Sequence, residues 1–302
     1  MLRYEADGAG VAQQRALDAD IEVDYVRRLV HERRLAPAEA PLEVETWPWP
    51  LKVFTLGRFE IVVNERPVQF SGKAQRKPLA LLQALIALGG HRVREDRLTE
   101  VLWPDADGDA AHQALSTTLH RLRRLLGHEG ALVRHDGTIS LVHGHCWVDL
   151  WAVERMTARA ESAIGRSPVR DHEWAASVRW TDRAVTLYRG EFLTGDPAMP
   201  WAAAAGDRLR ERLLRQLRKL GHLWESIGDW EEAAQCYERA VEINDCAEEF
   251  YRRLMLAYQR LDRRSDAILA YQRCRKQLSA VLGIAPSAET EGLHRSLQRP
   301  DC

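Results

Sequence analysis

Two stretches in the second half of this 302-residue chain repeat each other at an offset of 34 residues. Leu220, Trp224, Ile227, Ala233, Tyr237 and Arg239 recur as Leu254, Tyr258, Leu261, Ala267, Tyr271 and Arg273. A period of this length fits one supersecondary unit, two helices and a turn, which cannot bury its apolar face alone and must stack on a neighbour. The chain around the repeat reads as helical from Asp149 onward. Helices are predicted over 149–164, 172–189, 200–227, 230–243, 247–261, 264–282 and 287–298.

Small and aromatic residues at these places give the period the tetratricopeptide pattern, whose stacked pairs leave a concave groove, usually for a protein or peptide. The aromatics Trp224, Tyr237, Tyr251, Tyr258 and Tyr271 are read first as inter-helix filler. The alternative is a groove that receives a partner helix, a second protomer or a small-molecule signal. Arg208, Arg210, Arg212, Arg215, Arg218 and Lys219 crowd one helix against only Asp207 and Glu211. That face is either solvated or a surface for an anionic ligand or a second copy.

Upstream, the hydrophobic period changes. From Leu51 it is two (LKVFTLGRFEIVV, then NERP, then VQF), a short antiparallel meander with a turn at Asn64–Pro67. A helix is predicted over about 75–88, with Pro78 near its first turn, Gly89-Gly90 as its stop, and Leu79, Leu82, Leu85 and Ile86 as its apolar face. A second runs from about Glu95 to Trp103, where Pro104 ends it, and an acidic loop follows at Pro104–Gly108. The sequence ALVRHDGTISLV then sets two β-rich arms around Asp136-Gly137, a strong hairpin signal. Before all of this, residues 1–50 hold one predicted helix, Asp20 to Arg34, and a stretch with four prolines and two tryptophans. That stretch reads as an extended linker whose Trp47 and Trp49 either pack onto the next domain or contact a partner.

Between the acidic loop and the hairpin lies DAAHQALSTTLHRLRRLLG, Asp109 to Gly127, with Asp109 as N-cap. At 100° per residue Ala111, Ala114, Leu115, Leu119, Leu122, Leu125 and Leu126 fall on one face. Gln113, Thr117, His120 and Arg124 fall opposite, with Ser116 and Arg121 beside them and Arg123 on the flank. No acidic side chain occurs from Ala110 to Gly127. A core-packed helix with such an outer face suits a DNA major groove: Arg matches guanine edges, Gln matches adenine, and hydroxyls or further Arg match phosphate. Taken alone, it is equally an amphipathic helix with a solvated basic face. The order strands, three helices, hairpin is that of a winged helix-turn-helix. The fold class is therefore mainly α with a small β component: residues 1–50 as N-terminal helix and linker, 51–148 as winged helix, 149–302 as an all-α tetratricopeptide-like domain.

Net charge is −1, so any nucleic-acid surface must be local. Five scattered cysteines without a CxxC pair suit a reducing cytoplasm, and the chain has no run of 18 apolar residues and no leader-like N-terminus. Ser71-Gly72-Lys73 is not a Walker A loop, because Pro67 stands where Gly is required and Ala74 where Ser or Thr would hold magnesium. His143-Gly144-His145-Cys146 offers three metal ligands in four residues and no spaced fourth; it reads better as a strand end entering the next domain. GxSxG, HExxH and paired catalytic carboxylates are missing, so neither enzymatic activity nor a cofactor is expected.

An ordered set of motifs carries a family resemblance. In the first half it comprises LGRFEI, Gly72-Lys73, Arg76-Lys77-Pro78-Leu79, Leu102-Trp103-Pro104, and Leu119 with Leu122–Gly127. In the second it comprises Gly190-Glu191-Phe192-Leu193, the helix opened by Trp201, Tyr251–Leu256, and Leu282-Gly283-Ile284 with Pro286, Thr290 and Leu293. From Leu51 to Leu297 the chain resembles an OmpR-type winged helix joined to a bacterial transcriptional activator domain, as in the Streptomyces antibiotic regulatory proteins. Residues 1–50 resemble the segment that precedes this module in large ATPase-containing regulators. The resemblance implies base readout by Gln113, Ser116, Thr117, His120, Arg121 and Arg124, and backbone contacts by Lys73, Arg76, Lys77 and Arg123. It makes the hairpin at Arg134–Thr138 the wing, with Arg134 and His135 near the minor groove or its phosphates, and turns Pro104–Gly108 toward RNA polymerase. It implies promoter DNA read by a homodimer, and an effector at the helical domain. No receiver domain precedes the winged helix, so phospho-aspartate switching is not expected. The competing expectation is an interaction or sensing module whose winged domain no longer reads DNA; Gln113, Thr117, His120 and Arg124 would then be buried or salt-bridged.

Overall fold

The computed structural model describes residues 12–14, 16–17, 21–33, 40–70, 75–164, 172–194 and 200–298. The chain divides into two compact units, Met1–Met156 with Thr186–Leu209, and Thr157–Val185 with Arg210–Cys302.

The first unit opens with α1 (Val23–Arg33), and the described part of the proline-rich stretch that follows, from Ala40, packs its side chains into that unit. Leu42, Val44, Trp47 and Trp49 are buried, the Trp49 indole donates to the Val44 carbonyl (2.9 Å), and Trp147 reaches back to donate to the Leu42 carbonyl (2.8 Å). Glu43, buried in its turn, accepts from Arg155 at 2.8 Å. The prolines deny this stretch helix and ladder bonds, so it enters the core through its side chains instead.

The period-two segment gives β1 (Leu51–Phe54), β2 (Glu60–Val63) and β3 (Arg66–Pro67), joined as a meander. Asn64 and Glu65 both have positive φ, so a two-residue primed turn supplies the strand twist, at some cost for Glu65. The sheet does not end there. β7 (Cys146–Val148) pairs in parallel with the free side of β1, Leu51 opposite Cys146 and Val53 opposite Val148. The sequence was read as an antiparallel meander alone; a parallel partner from beyond the wing is what makes β1 a central strand, buried at Leu51 and Val53.

At the end of β1, Asp149 receives the amides of Thr55 (2.7 Å), Leu56 (2.9 Å) and Leu150 (2.8 Å) and the Thr55 hydroxyl (2.6 Å). Burial pushes this carboxyl above its ordinary value, although all four donors pull the other way. Close by, Gly57 and Gly190 meet back to back. A Cβ on Gly57 would lie 2.5 Å from the Arg189 carbonyl oxygen, and one on Gly190 would lie 2.9 Å from the Gly57 Cα. That contact, with the Leu56–Phe192 bridge and the Leu193 amide on Thr55 (2.8 Å), explains why LGRFEI and GEFL occur together in one chain.

Three helices pack on one another in this unit: α2 (Arg76–Ala87), α3 (Glu95–Leu102) and α4 (Gly108–Leu126). In α2 the buried side includes Pro78, Leu81, Leu82, Leu85 and Ile86, with Leu79 only half-buried. A second sheet, ordered β4-β6-β5, joins β4 (Val93–Arg94) to the hairpin of β5 (Leu132–His135) and β6 (Thr138–Leu141). Asp136 and Gly137 both have positive φ, the primed turn that Asp-Gly dictates.

The second unit takes its residues from α5 (Asp149–Ile164), α6 (His172–Leu187), α7 (Pro200–Ser226), α8 (Trp230–Ile243), α9 (Glu248–Arg260), α10 (Arg264–Gln277) and α11 (Ala288–Gln298). One helix was expected over 264–282; after Gln277 it loosens into a π-helical turn, Leu278–Leu282, and stops at Gly283 with positive φ. The repeat tyrosines are packing residues. Tyr237, Tyr258 and Tyr271 are buried, and their hydroxyls bond Glu225 (2.9 Å), Glu238 and Glu291 (2.6 Å) respectively. An apolar body and a polar tip are satisfied together, as stacked helices require. Of the basic residues on α7, Arg212 pairs with Glu161 (2.6 Å) and Arg218 with Glu249 (2.8 Å). Arg208, Arg215 and Lys219 are exposed.

Candidate nucleic-acid interface

α4 begins at Gly108, one residue before the expected start, so Asp109 sits in its first turn, and Asp107 occupies the cap without a side-chain bond. Gly127 closes it with φ 62. Ala111, Leu115, Thr118, Leu119, Leu122 and Leu126 are buried. Ala114 and Leu125, assigned to the core by the wheel, are half-buried, and Thr118 takes the inner place between them.

On the outer face Gln113, Thr117, His120, Arg121 and Arg124 are exposed. Thr117 Oγ1 donates to the Gln113 carbonyl one turn back (3.0 Å), a bond within the helix. Among the described residues, no side chain of another element pairs with these five. Near the C-terminal end of α4, His120, Arg123, Arg124, Gly127 and Leu132 line an open cleft of about 560 Å³. Three of those five are cationic or protonatable, which gives the cleft a positive lining. Arg123, half-buried, also donates to the Leu132 carbonyl at 3.3 Å.

The hairpin beside α4 alternates as a strand must. Leu132 and Arg134 lie opposite Leu141 and Ile139 on the face turned to the protein, whereas Val133 and His135 point away. Exposed His135 sits 3.0 Å from Asp136. Arg134, expected at the wing surface, is exposed there (41% of its side chain) yet already engaged within the unit: Nε and Nη2 each donate to a Glu95 carboxylate oxygen at 2.6 Å, and Nη1 donates to Ser116 Oγ at 3.2 Å. Ser116 is thus half-buried and occupied. Glu95 itself is only 6% exposed; nothing in the sequence marked it, since an acid in the first turn of a helix is ordinary.

At the other flank, Lys77 Nζ donates to the Leu102 carbonyl (2.8 Å) and lies 5.2 Å from the Trp103 ring centroid. The RKPL and LWP motifs therefore touch. Arg76 is exposed, Lys73 lies outside the described residues, and Pro104–Gly108 is an exposed loop. Elsewhere in this unit the His143 ring lies 4.7 Å from that of Trp151, tilted by 54°, and burial, then His91, then Arg155, holds its pKa below the usual histidine value. Burial likewise raises the Cys146 thiol far above its ordinary value, so the thiol stays protonated. In the helical unit a groove of about 570 Å³ is walled by Trp174, Ala175, Val178 and Trp224 and edged by Arg179, Asp182, Arg183 and Asp229. Among the described residues no helix is long and apolar enough to cross a membrane.

The chain thus joins a winged helix-turn-helix unit, with an open polar helix face, to a unit of helical repeats, and comparison with known proteins says which class of protein has this make-up. Residues 148–298 match the bacterial transcriptional activator domain, and the chain belongs to that family. Regulatory protein AfsR of Streptomyces griseus is 26% identical over 231 residues, which cover 76% of this chain and 23% of AfsR. Transcriptional regulatory protein MoaR1 of Mycobacterium tuberculosis is 24% identical over 250 residues, covering 81% of this chain and 78% of MoaR1. Among solved structures, Mycobacterium tuberculosis EmbR, in complex with a low affinity phosphopeptide, shares the fold: TM-score 0.56 at 23% identity, over 84% of this chain and 66% of EmbR. The chain spans about a quarter of the length of AfsR, so it corresponds to one part of that protein.

Proposed function

We propose that this chain is a DNA-binding transcriptional regulator. The observation that carries it is the outer face of α4, where Gln113, Thr117, His120, Arg121 and Arg124 are exposed and free of other elements while the opposite face is core. A masked or retired winged domain would have these side chains buried or paired; their exposure, without partners from other elements among the described residues, supports the DNA-binding reading. α4 enters the major groove; these five residues read base edges, Gln toward adenine and Arg toward guanine. Arg76, Lys77 and Arg123, with Lys73 on the adjoining segment, hold phosphates, and His135 at the wing tip lies nearest the minor groove.

The helical unit positions a second copy on a repeated half-site, and its Trp174–Trp224 groove is the place for an effector. The exposed Pro104–Gly108 loop is the part of the winged unit left free to meet RNA polymerase. The test is the affinity of the full chain for mixed genomic duplex DNA as a function of salt, followed by selection of bound fragments. Each neutralised phosphate contributes roughly −0.9 to the slope of log affinity against log salt, so a slope of several units and a shared short site are expected. No binding at low salt, or binding without a common site, would show that α4 does not read DNA.

A further inference from the structure

Two side chains tie the wing of this molecule to the reading helix, Arg123 of the helix on the Leu132 carbonyl and Arg134 of the wing on Ser116, and the second has a buried anchor. Arg134 uses three of its five N–H groups inside the protein: two on the carboxylate of Glu95 and one on Ser116 of α4. Side-on pairing of a guanidinium with a carboxylate fixes direction as well as distance. Glu95 is fixed in turn. It is the first residue of α3, its side chain is almost wholly buried, and its own amide donates to the Gly137 carbonyl at the hairpin tip (2.9 Å). The Arg92 amide adds a bond to Ser140 Oγ (2.8 Å), and β4 pairs Val93 with Ile139. The start of α3, the hairpin and the middle of α4 therefore meet at Glu95. The charge of Arg134 is cancelled by its partner, and strand alternation turns it away from the outer face that Val133 and His135 occupy.

We infer that Arg134 and Glu95 form a buckle that sets the angle between wing and reading helix, and that Arg134 acts as a positioning residue for sequence discrimination instead of a DNA contact. This rests on the DNA-binding reading above. A loose wing would still be attracted to phosphate, but it would let α4 settle in the groove in more than one register, so the loss falls on specificity before it falls on general affinity.

The test uses Glu95→Gln and Arg134→Gln in the full chain, because these change the net charge in opposite directions. A buckle predicts the same phenotype from both. Hairpin amides from Arg134 to Ile139 exchange about tenfold faster in the absence of DNA. The affinity ratio between a selected site and mixed DNA falls by about fivefold or more, and the salt slope stays within about half a unit of the wild type. A phosphate contact predicts opposite phenotypes: Arg134→Gln weakens all sequences and shallows the slope by about one unit, while Glu95→Gln strengthens all sequences. That pattern would overturn the inference. Ser116→Ala, which removes only the third bond, keeps the question open to measurement if either charge variant fails to fold; it should lower discrimination by about twofold, and an unchanged ratio counts against the buckle. A wild type that binds no duplex DNA at any salt sinks the DNA reading and this role together. Where the wild type does bind, hairpin exchange unchanged in both charge variants sinks this role alone.

Discussion

Two cations on the proposed DNA surface make opposite predictions because the structure treats them differently. Lys77 donates to the Leu102 carbonyl and lies over the Trp103 ring, and both contacts vanish in Lys77→Ala. A hydrogen bond of this kind contributes about 0.5–1.5 kcal/mol net. A cation over an aromatic ring at an exposed site contributes about 0.5–1 kcal/mol. Their sum puts the loss of stability near 1–2.5 kcal/mol, visible as a lower urea midpoint by circular dichroism. Lys77 keeps two further N–H groups for phosphate, so the salt slope of DNA binding should also become shallower by about one unit, equally for all sequences. Arg124 is exposed, and among the described residues no side chain or carbonyl pairs with it. Arg124→Ala should therefore leave the urea midpoint within about 0.5 kcal/mol of wild type. If Arg124 makes a bidentate contact to a base, its removal costs about 1–3 kcal/mol of binding, roughly 5- to 150-fold, and relaxes one base preference. Competition binding with single-base variants of a selected site reads this directly. An Arg124→Ala chain with wild-type affinity and an unaltered base profile would mean that the wrong face of α4 has been assigned to the groove.

Three further outcomes test the frame that holds this surface. Gly57→Ala combines a left-handed backbone with a contact of 2.5 Å on a carbonyl oxygen, and should destabilise by about 2–5 kcal/mol; a urea midpoint near wild type would contradict the back-to-back glycine contact. In Asp149→Asn one oxygen becomes a donor facing the amides of Leu56 or Leu150, leaving a buried N–H unpaired at about 1–3 kcal/mol. Because burial raises the native pKa of Asp149, its ionisation opposes folding as pH rises through that value, so the asparagine variant should recover ground relative to wild type above it. His143 has a lowered native pKa, so its contribution is complete above the unfolded value of 6.5 and is lost as pH falls below it. Urea titrations at stepped pH should show that slope in wild type and a flatter one in His143→Gln.

Local chemistry explains what could be read in advance. Asp136-Gly137 dictates a primed turn, Gly127 a helix stop and Pro104 a break, and each acts within a few residues. The polar face of α4 was likewise visible, because helical periodicity sorts side chains without knowledge of the neighbours. What stayed hidden depends on pairing across distance. The sequence leaves Trp47 and Trp49 between packing onto the next domain and contacting a partner, and their burial together with the Trp147 bond to Leu42 is what decides for packing. Arg134 looked like a wing contact because nothing within the hairpin told which face of the strand meets Glu95. Asp149 is one acidic residue among many until the end of β1 places three donors around it, beside the amide of Leu150.

The parallel pairing of β1 with β7 has a consequence for how the chain is made. Cys146–Val148 leaves the ribosome more than ninety residues after Leu51–Phe54. At about 5–20 residues per second, the free side of β1 waits roughly 5–20 s for its partner. During that interval the meander offers an open edge and the apolar side chains of Leu51 and Val53 to any other nascent chain. Synthesis that stalls between the first helix of the winged unit and the end of the hairpin should therefore yield aggregates, whereas a stall late enough for Cys146–Val148 to have left the ribosome should leave the side of β1 covered.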